Sequence, residues 1–132
     1  AVEALRTAFT EGQKLHYYYA YQIVKQAKHA FLAANCSVNE ITVSEGGRIV
    51  VVGDLHGQLP DLLTILKRAG VPSKTNMYLF NGDFVDRGPH GPEVLFLILA
   101  YKVLYPDHVF LNRGNHEAKH MNAKYNFEEQ VV

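Results

Sequence analysis

Three apolar runs, each broken by a glycine-bounded polar loop, restrict this chain to very few folds. Arg48–Val52, Met77–Phe80 and His108–Leu111 are short and rich in β-branched or aromatic residues, which reads as buried strands rather than as helices of ordinary length. Between them, Gln58–Ala69 and Pro92–Leu104 carry apolar residues at helical spacing, with Gly70, Pro72 and Pro106 as stops. The order is strand, helix, strand, helix, strand. Asp54 and Asp83 are 29 residues apart, and Asp83 and Asn115 are 32 apart, close to the roughly 30 residues of one βαβ unit. Right-handed crossovers then set three parallel strands side by side, and all three loops gather beyond the carboxyl ends of the strands.

Upstream, Leu15, Tyr19, Ile23, Ala27, Ala30 and Ala34 recur at helical spacing, with Lys14, Lys25 and Lys28 for the wet side. This predicts an amphipathic helix over about residues 15–34, with the cluster Tyr17, Tyr18, Tyr19 and Tyr21 serving ordinary packing. The polar stretch Asn35–Gly47 reads as a connection with one short strand at Ile41–Val43.

Thirteen basic residues balance thirteen acidic ones, so no overall field recruits nucleic acid and any anion must be captured locally. The apolar run around Val94–Leu99 is too short for a bilayer. Residue 1 opens on no basic-then-apolar signal, and a single cysteine, Cys36, has no partner for an intramolecular disulfide. Together these favour a cytoplasmic or nuclear setting.

The loops hold the chemistry. Gly53-Asp54-Leu55-His56-Gly57, Gly82-Asp83-Phe84-Val85-Asp86-Arg87-Gly88 and Arg113-Gly114-Asn115-His116-Glu117 offer carboxylates, an imidazole and an amide oxygen, a mixed set that suits Mn, Fe or Zn. Asp54, His56, Asp83 and Asn115 are the candidate ligands, with Asp83, central in sequence, as a bridge between two ions. Paired metals are a recognised device for phosphoryl hydrolysis. Arg87 carries a planar fork that matches phosphate oxygens. Arg113 is either a second clamp or a brace on loop carbonyls. His116 is placed to protonate a leaving alkoxide, with Asp86 orienting its ring. The first motif alone reads more often as a turn than as a metal loop; three in succession at βαβ spacing reverse that. His16, His29, His90, His108 and His120 fall outside the set and read as packing or surface residues, while Asn81, Asn112 and Glu117 adjoin it.

At these residues the chain resembles the phosphoprotein phosphatase family of serine/threonine phosphatases, whose blocks Gly-Asp-x-His-Gly, Gly-Asp-x-Val-Asp-Arg-Gly and Gly-Asn-His-Glu are present in order. Tyr21-Gln22-Ile23, Tyr78–Gly88, Tyr105-Pro106-Asp107-His108 and Met121-Asn122 look most like the type 5 and EF-hand phosphatases, and the likeness spans roughly residues 14–130. The resemblance implies a metallophosphoesterase-type β-sandwich flanked by helices in αββα layers. It also implies that Asp54, His56 and Asp83 hold one metal, that Asp83 bridges, and that Asn115 helps hold the second. Arg87 would bind phosphate, and His116 with Asp86 would be the acid pair. Phosphorylated proteins as substrates and a regulatory domain or subunit follow from the same likeness.

In that family two further histidine ligands, another phosphate-binding arginine and the second half of the sandwich lie beyond the third block. This sequence stops 15 residues after Glu117. The reading is therefore the N-terminal half of a catalytic domain: residues 1–47 a helical segment and connection, residues 48–132 the first βαβαβ half, with apolar sheet surface left bare. Two other readings stand beside it. One is a dinucleoside tetraphosphate hydrolase, which shares the three blocks; the Tyr78–Asp83 stretch and Tyr105–His108 favour the protein phosphatase. The other is a non-catalytic half-domain that binds metal or a partner.

Overall fold

The computed structural model describes residues 1–131; Val132, the last residue of the expected catalytic segment, lies outside the described residues. Three parallel strands, β1 (Arg48–Val52), β2 (Asn76–Phe80) and β3 (Val109–Leu111), form one sheet in the order β1-β2-β3. The register pairs Val50 with Tyr78 and Val52 with Phe80, and on the other side Tyr78 with Val109. Because side chains alternate across a strand, this register gathers Val52, Tyr78, Phe80 and Val109 on one face, and all four are buried.

The helices are α1 (Val2–Thr10), α2 (Tyr17–Ala34), α3 (Leu59–Ala69), α4 (Gly91–Leu104), α5 (Lys119–Lys124) and α6 (Phe127–Val131), with a 3-10 turn at Asn115–Glu117. The crossover helices α3 and α4 cover the core face of the sheet through Leu59, Leu62, Leu66, Val94, Leu97, Ile98 and Tyr101. Sequence explains the difference between them. Helix α3 presents one apolar stripe, whereas α4 is apolar nearly all round, the pattern of a helix buried on every side. Accordingly α1, α2, α3 and α6 all pack on α4. The opposite sheet face is less covered: Val51 is 64% exposed.

Two expectations are corrected. No strand forms at Ile41–Val43, which lies among the described residues without a pairing partner. Tyr17, Tyr18, Tyr19 and Tyr21 do not pack; they are 53–79% exposed. The stripe that meets α4 is centred on buried Ala27, with half-buried Ala20, Ile23 and Ala30 at helical spacing. One position separates Tyr19 from Ala20, and that step turns the side chain by about 100°. Small residues let the two helices approach, and the tyrosines are left outside. Finally, α1 was not anticipated, although Val2, Leu5 and Phe9 recur at helical spacing and Phe9 is buried in the core. Helices α5 and α6 likewise form where the sequence predicts no element. Among the described residues no helix is long and apolar enough to cross a membrane.

Candidate metal centre

All three loops leave the carboxyl ends of the strands, and backbone hydrogen bonds stitch them together. The amides of Leu55 and His56 both donate to the Asp83 carbonyl, at 3.0 and 2.9 Å, Gly57 donates to the Phe84 carbonyl at 2.7 Å, and Gly88 to the His56 carbonyl at 2.8 Å. The approach is close enough to require glycine. A Cβ on Gly88 would run into the His56 carbonyl, and one on Gly114 into the Asp83 carboxylate. Four non-glycine residues here have a left-handed backbone, His56 (φ 41°), Asp83 (52°), Asp86 (67°) and Arg87 (71°), and the fifth such residue among those described, Asn35, ends α2. Each such residue costs on the order of 1–3 kcal/mol and persists only where its surroundings over-determine it.

What over-determines Asp83 is Glu117. Its carboxylate accepts the Asp83 amide at 2.8 Å, the Phe84 amide at 2.8 Å and the Gly114 amide at 2.9 Å. One side chain thus ties the second loop to the third, with charge-assisted bonds that are individually strong. Sequence reasoning gave Glu117 no individual role; its signal was only its place beside His116.

Ligand atoms of Asp54, His56 and Asp83 lie within 4.8 Å of one another. His56 Nδ1 faces the Val85 carbonyl at 3.0 Å. A carbonyl can only accept, so Nδ1 carries the proton and Nε2 keeps its lone pair. That lone-pair nitrogen is 3.9 Å from Asp54 Oδ2. A carbonyl partner on one ring nitrogen is how proteins set the tautomer of a histidine that presents the other to a metal. Asn115 meets both oxygens of Asp83. Turned nitrogen-first, its amide donates to them at 3.1 and 2.9 Å; turned oxygen-first, acceptor faces acceptor, and a cation between them relieves the repulsion. The residues present therefore fit a metal.

Beside this group sits a buried dyad. His116 Nδ1 is 2.9 Å from Asp86 Oδ2, with His116 almost wholly and Asp86 wholly buried. The His116 amide donates to Asp83 Oδ1 at 2.9 Å, and its ring meets the His56 ring edge-on at 4.8 Å between centroids. With Nδ1 committed to Asp86, Nε2 is the ring nitrogen free to carry a transferable proton. Asp86 is held in turn by the Phe127 amide at 3.0 Å, and the His116 carbonyl by Asn122 at 2.7 Å. These contacts from the C-terminal segment went unread in the sequence.

Arg87 is exposed at the rim and enters no ion pair among the described residues. Arg113 donates from Nε to the Glu117 carbonyl at 3.1 Å, which is a brace on its own loop. The remaining histidines stay apart from the centre. His16 caps α2, accepting the Tyr18 amide at Nδ1, and His90 approaches Glu93 at 3.8 Å. His29 and His120 are exposed, and His108 is half-buried.

The model of the family described as calcineurin-like phosphoesterase matches residues 47–131. Serine/threonine-protein phosphatase T of Schizosaccharomyces pombe is 50% identical over 127 residues, 96% of this chain and 27% of that protein. Serine/threonine-protein phosphatase 5 of Homo sapiens is 48% identical over 123 residues, 93% of this chain and 24% of that protein. A solved structure of a protein serine/threonine phosphatase from Saccharomyces cerevisiae, with similarity to human phosphatase PP5, superposes with a TM-score of 0.88 at 39% identity, covering 93% of this chain and 39% of that one. The chain spans about a quarter of the length of these curated relatives. Matched across most of its length, with the loops of the match converging as described, the chain belongs to the calcineurin-like phosphoesterase family.

Proposed function

We infer that the chain carries part of the active site of a metal-dependent serine/threonine protein phosphatase, acting on phosphoserine and phosphothreonine in proteins. The observation that carries this reading is the juxtaposition of the Asp54, His56 and Asp83 group with the buried His116–Asp86 dyad. The names of the relatives favour it over a dinucleoside tetraphosphate hydrolase. In this reading Asp54, His56 and Asp83 would hold one ion, and Asp83 with Asn115 would help hold a second. Mn, Fe or Zn suits the mixed donor set. Such ions, when bound, supply Lewis-acid polarisation of the phosphoryl oxygens and an acidified water.

The chain's own residues do the rest. Arg87, free at the rim, takes phosphate oxygens in a bidentate grip. His116 passes the Nε2 proton to the leaving alkoxide, while Asp86 holds Nδ1–H and supports the imidazolium form of the ring. Burial of that dyad keeps the pair from exchanging partners with bulk water. Phosphorylated proteins are the proposed substrates. A regulatory domain or subunit accords with relatives some four times longer. A reducing cytoplasmic or nuclear setting accords with the lone, exposed Cys36.

The test is release of phosphate from an aryl phosphate with Mn present, with Mn binding measured in parallel by equilibrium dialysis, for the chain and for Asp83→Asn. The chain is expected to bind Mn, and the variant to lose at least tenfold in affinity, about 1.4 kcal/mol. Equal binding by both would overturn the ligand assignment whatever the turnover.

A further inference from the structure

Helix α6 lies against the loop that carries Arg87. From α6, the Phe127 amide donates to Asp86 Oδ1 at 3.0 Å, Gln130 Nε2 donates to the Gly88 carbonyl at 3.1 Å, and Gln130 Oε1 accepts the Gly91 amide at 3.2 Å. These three bonds fall on Asp86, Gly88 and Gly91, on both sides of Arg87. The seat is tight: a Cβ on Gly91 would lie 2.7 Å from Gln130 Oε1 and 3.2 Å from the Phe127 ring. Asp86 and Arg87 themselves hold the left-handed backbone at φ 67° and 71°, a conformation that relaxes unless something outside the loop maintains it. The Arg87 side chain gives no such anchorage, since it enters no ion pair among the described residues.

We propose that Gln130 is a positioning residue for phosphate recognition. Its side-chain amide bridges the Gly88 carbonyl and the Gly91 amide, closing the loop behind Arg87 and fixing the direction in which the guanidinium is presented. A carboxamide suits this task because it donates and accepts at once, and the loop exit offers one acceptor and one donor. Bidentate recognition depends on orientation, so a loosened loop weakens phosphate binding even with Arg87 intact. The inference rests on the reading of Arg87 as the phosphate clamp.

Gln130→Met keeps length and volume and removes both hydrogen bonds; Arg87→Ala removes the clamp, and Glu128→Ala, exposed on the same helix, is the control. The Mn-loaded chain and each variant are titrated with inorganic phosphate, and amide hydrogen exchange at residues 86–88 is followed in the metal-free proteins. Gln130→Met is expected to bind phosphate about tenfold more weakly, with faster exchange in the loop, while its circular dichroism spectrum below the melting transition matches the parent. Glu128→Ala is expected to match the parent. Phosphate affinity or loop exchange equal to the parent in Gln130→Met, with Arg87→Ala weakened, overturns the inference and leaves the functional reading standing. Parental phosphate binding by Arg87→Ala removes the clamp itself and the inference with it.

Discussion

Asp86 is fixed from two distant parts of the chain, by His116 Nδ1 at 2.9 Å and by the Phe127 amide at 3.0 Å. Its position between residues 116 and 127 in space is invisible in a linear motif, which shows only that aspartate follows valine. Glu117 is the sharper case. Three backbone amides converge on its carboxylate, and its removal leaves them without a partner in the part-buried interior of the site. Glu117→Ala is expected to cost about 3 kcal/mol, read as a lower urea midpoint at unchanged slope, together with weaker Mn binding. Gly114 is constrained as strongly. Gly114→Ala forces its new methyl into the Asp83 carboxylate, and an overpacking cost of roughly 1–3 kcal/mol follows. Because the displaced group is a proposed ligand, Mn affinity in a dialysis measurement is expected to fall with stability; a variant with parental affinity would show that the Asp83 carboxylate moves aside freely.

At the scale of elements, α4 organises the core. Leu97 is fully buried within it, and Leu97→Ala is expected to lose roughly 2–5 kcal/mol by chemical denaturation. The same helix ties α1 to the core through Tyr101, whose hydroxyl donates to Glu3 Oε1 at 3.5 Å. Burial first, and the Glu3 charge second, push the Tyr101 hydroxyl up to about 12, and burial also raises that of Tyr78. The folded state therefore holds these protons more tightly than the unfolded chain. The Tyr101 contribution to stability is complete below pH 10, the ordinary tyrosine value, and is lost as pH climbs from 10 towards 12, and Tyr78 acts in the same direction. Unfolding midpoints measured at pH 9 and pH 11 are expected to show the parent falling, and Tyr101→Phe falling less. Lys102, whose Nζ donates to the Pro106 carbonyl and to the Val109 carbonyl of β3, is shifted the other way: burial lowers its value.

Across the whole molecule, the candidate metal centre joins Asp54, Asp83 and Asn115, 29 and 32 residues apart, so ligand binding is coupled to folding of the entire sheet. An ion that binds the folded chain alone stabilises it by about 2.7 kcal/mol at one hundred times its dissociation constant. The melting temperature is expected to rise with Mn and to fall back with a chelator, and Asp83→Asn is expected to blunt the response. A melting curve indifferent to Mn would count against the centre.

Much of this architecture was legible because its signals are local. Apolar runs, glycine-bounded loops and βαβ spacing place three strand ends together through rules of connection that act on any chain, and Asp54, His56, Asp83 and Asn115 were named on that basis. The outward tyrosines of α2 were not legible, since a helix apolar on more than one side does not declare which face another helix will meet. Nor were the roles of Glu117, Phe127 and Gln130. Sequence determined which groups the site contains and the order in which the elements present them. Tertiary structure alone decided which backbone amides those groups bind, because a hydrogen bond between residues 30 to 42 positions apart depends on the packing of α6 and the third loop against the second, and no local pattern encodes that distance.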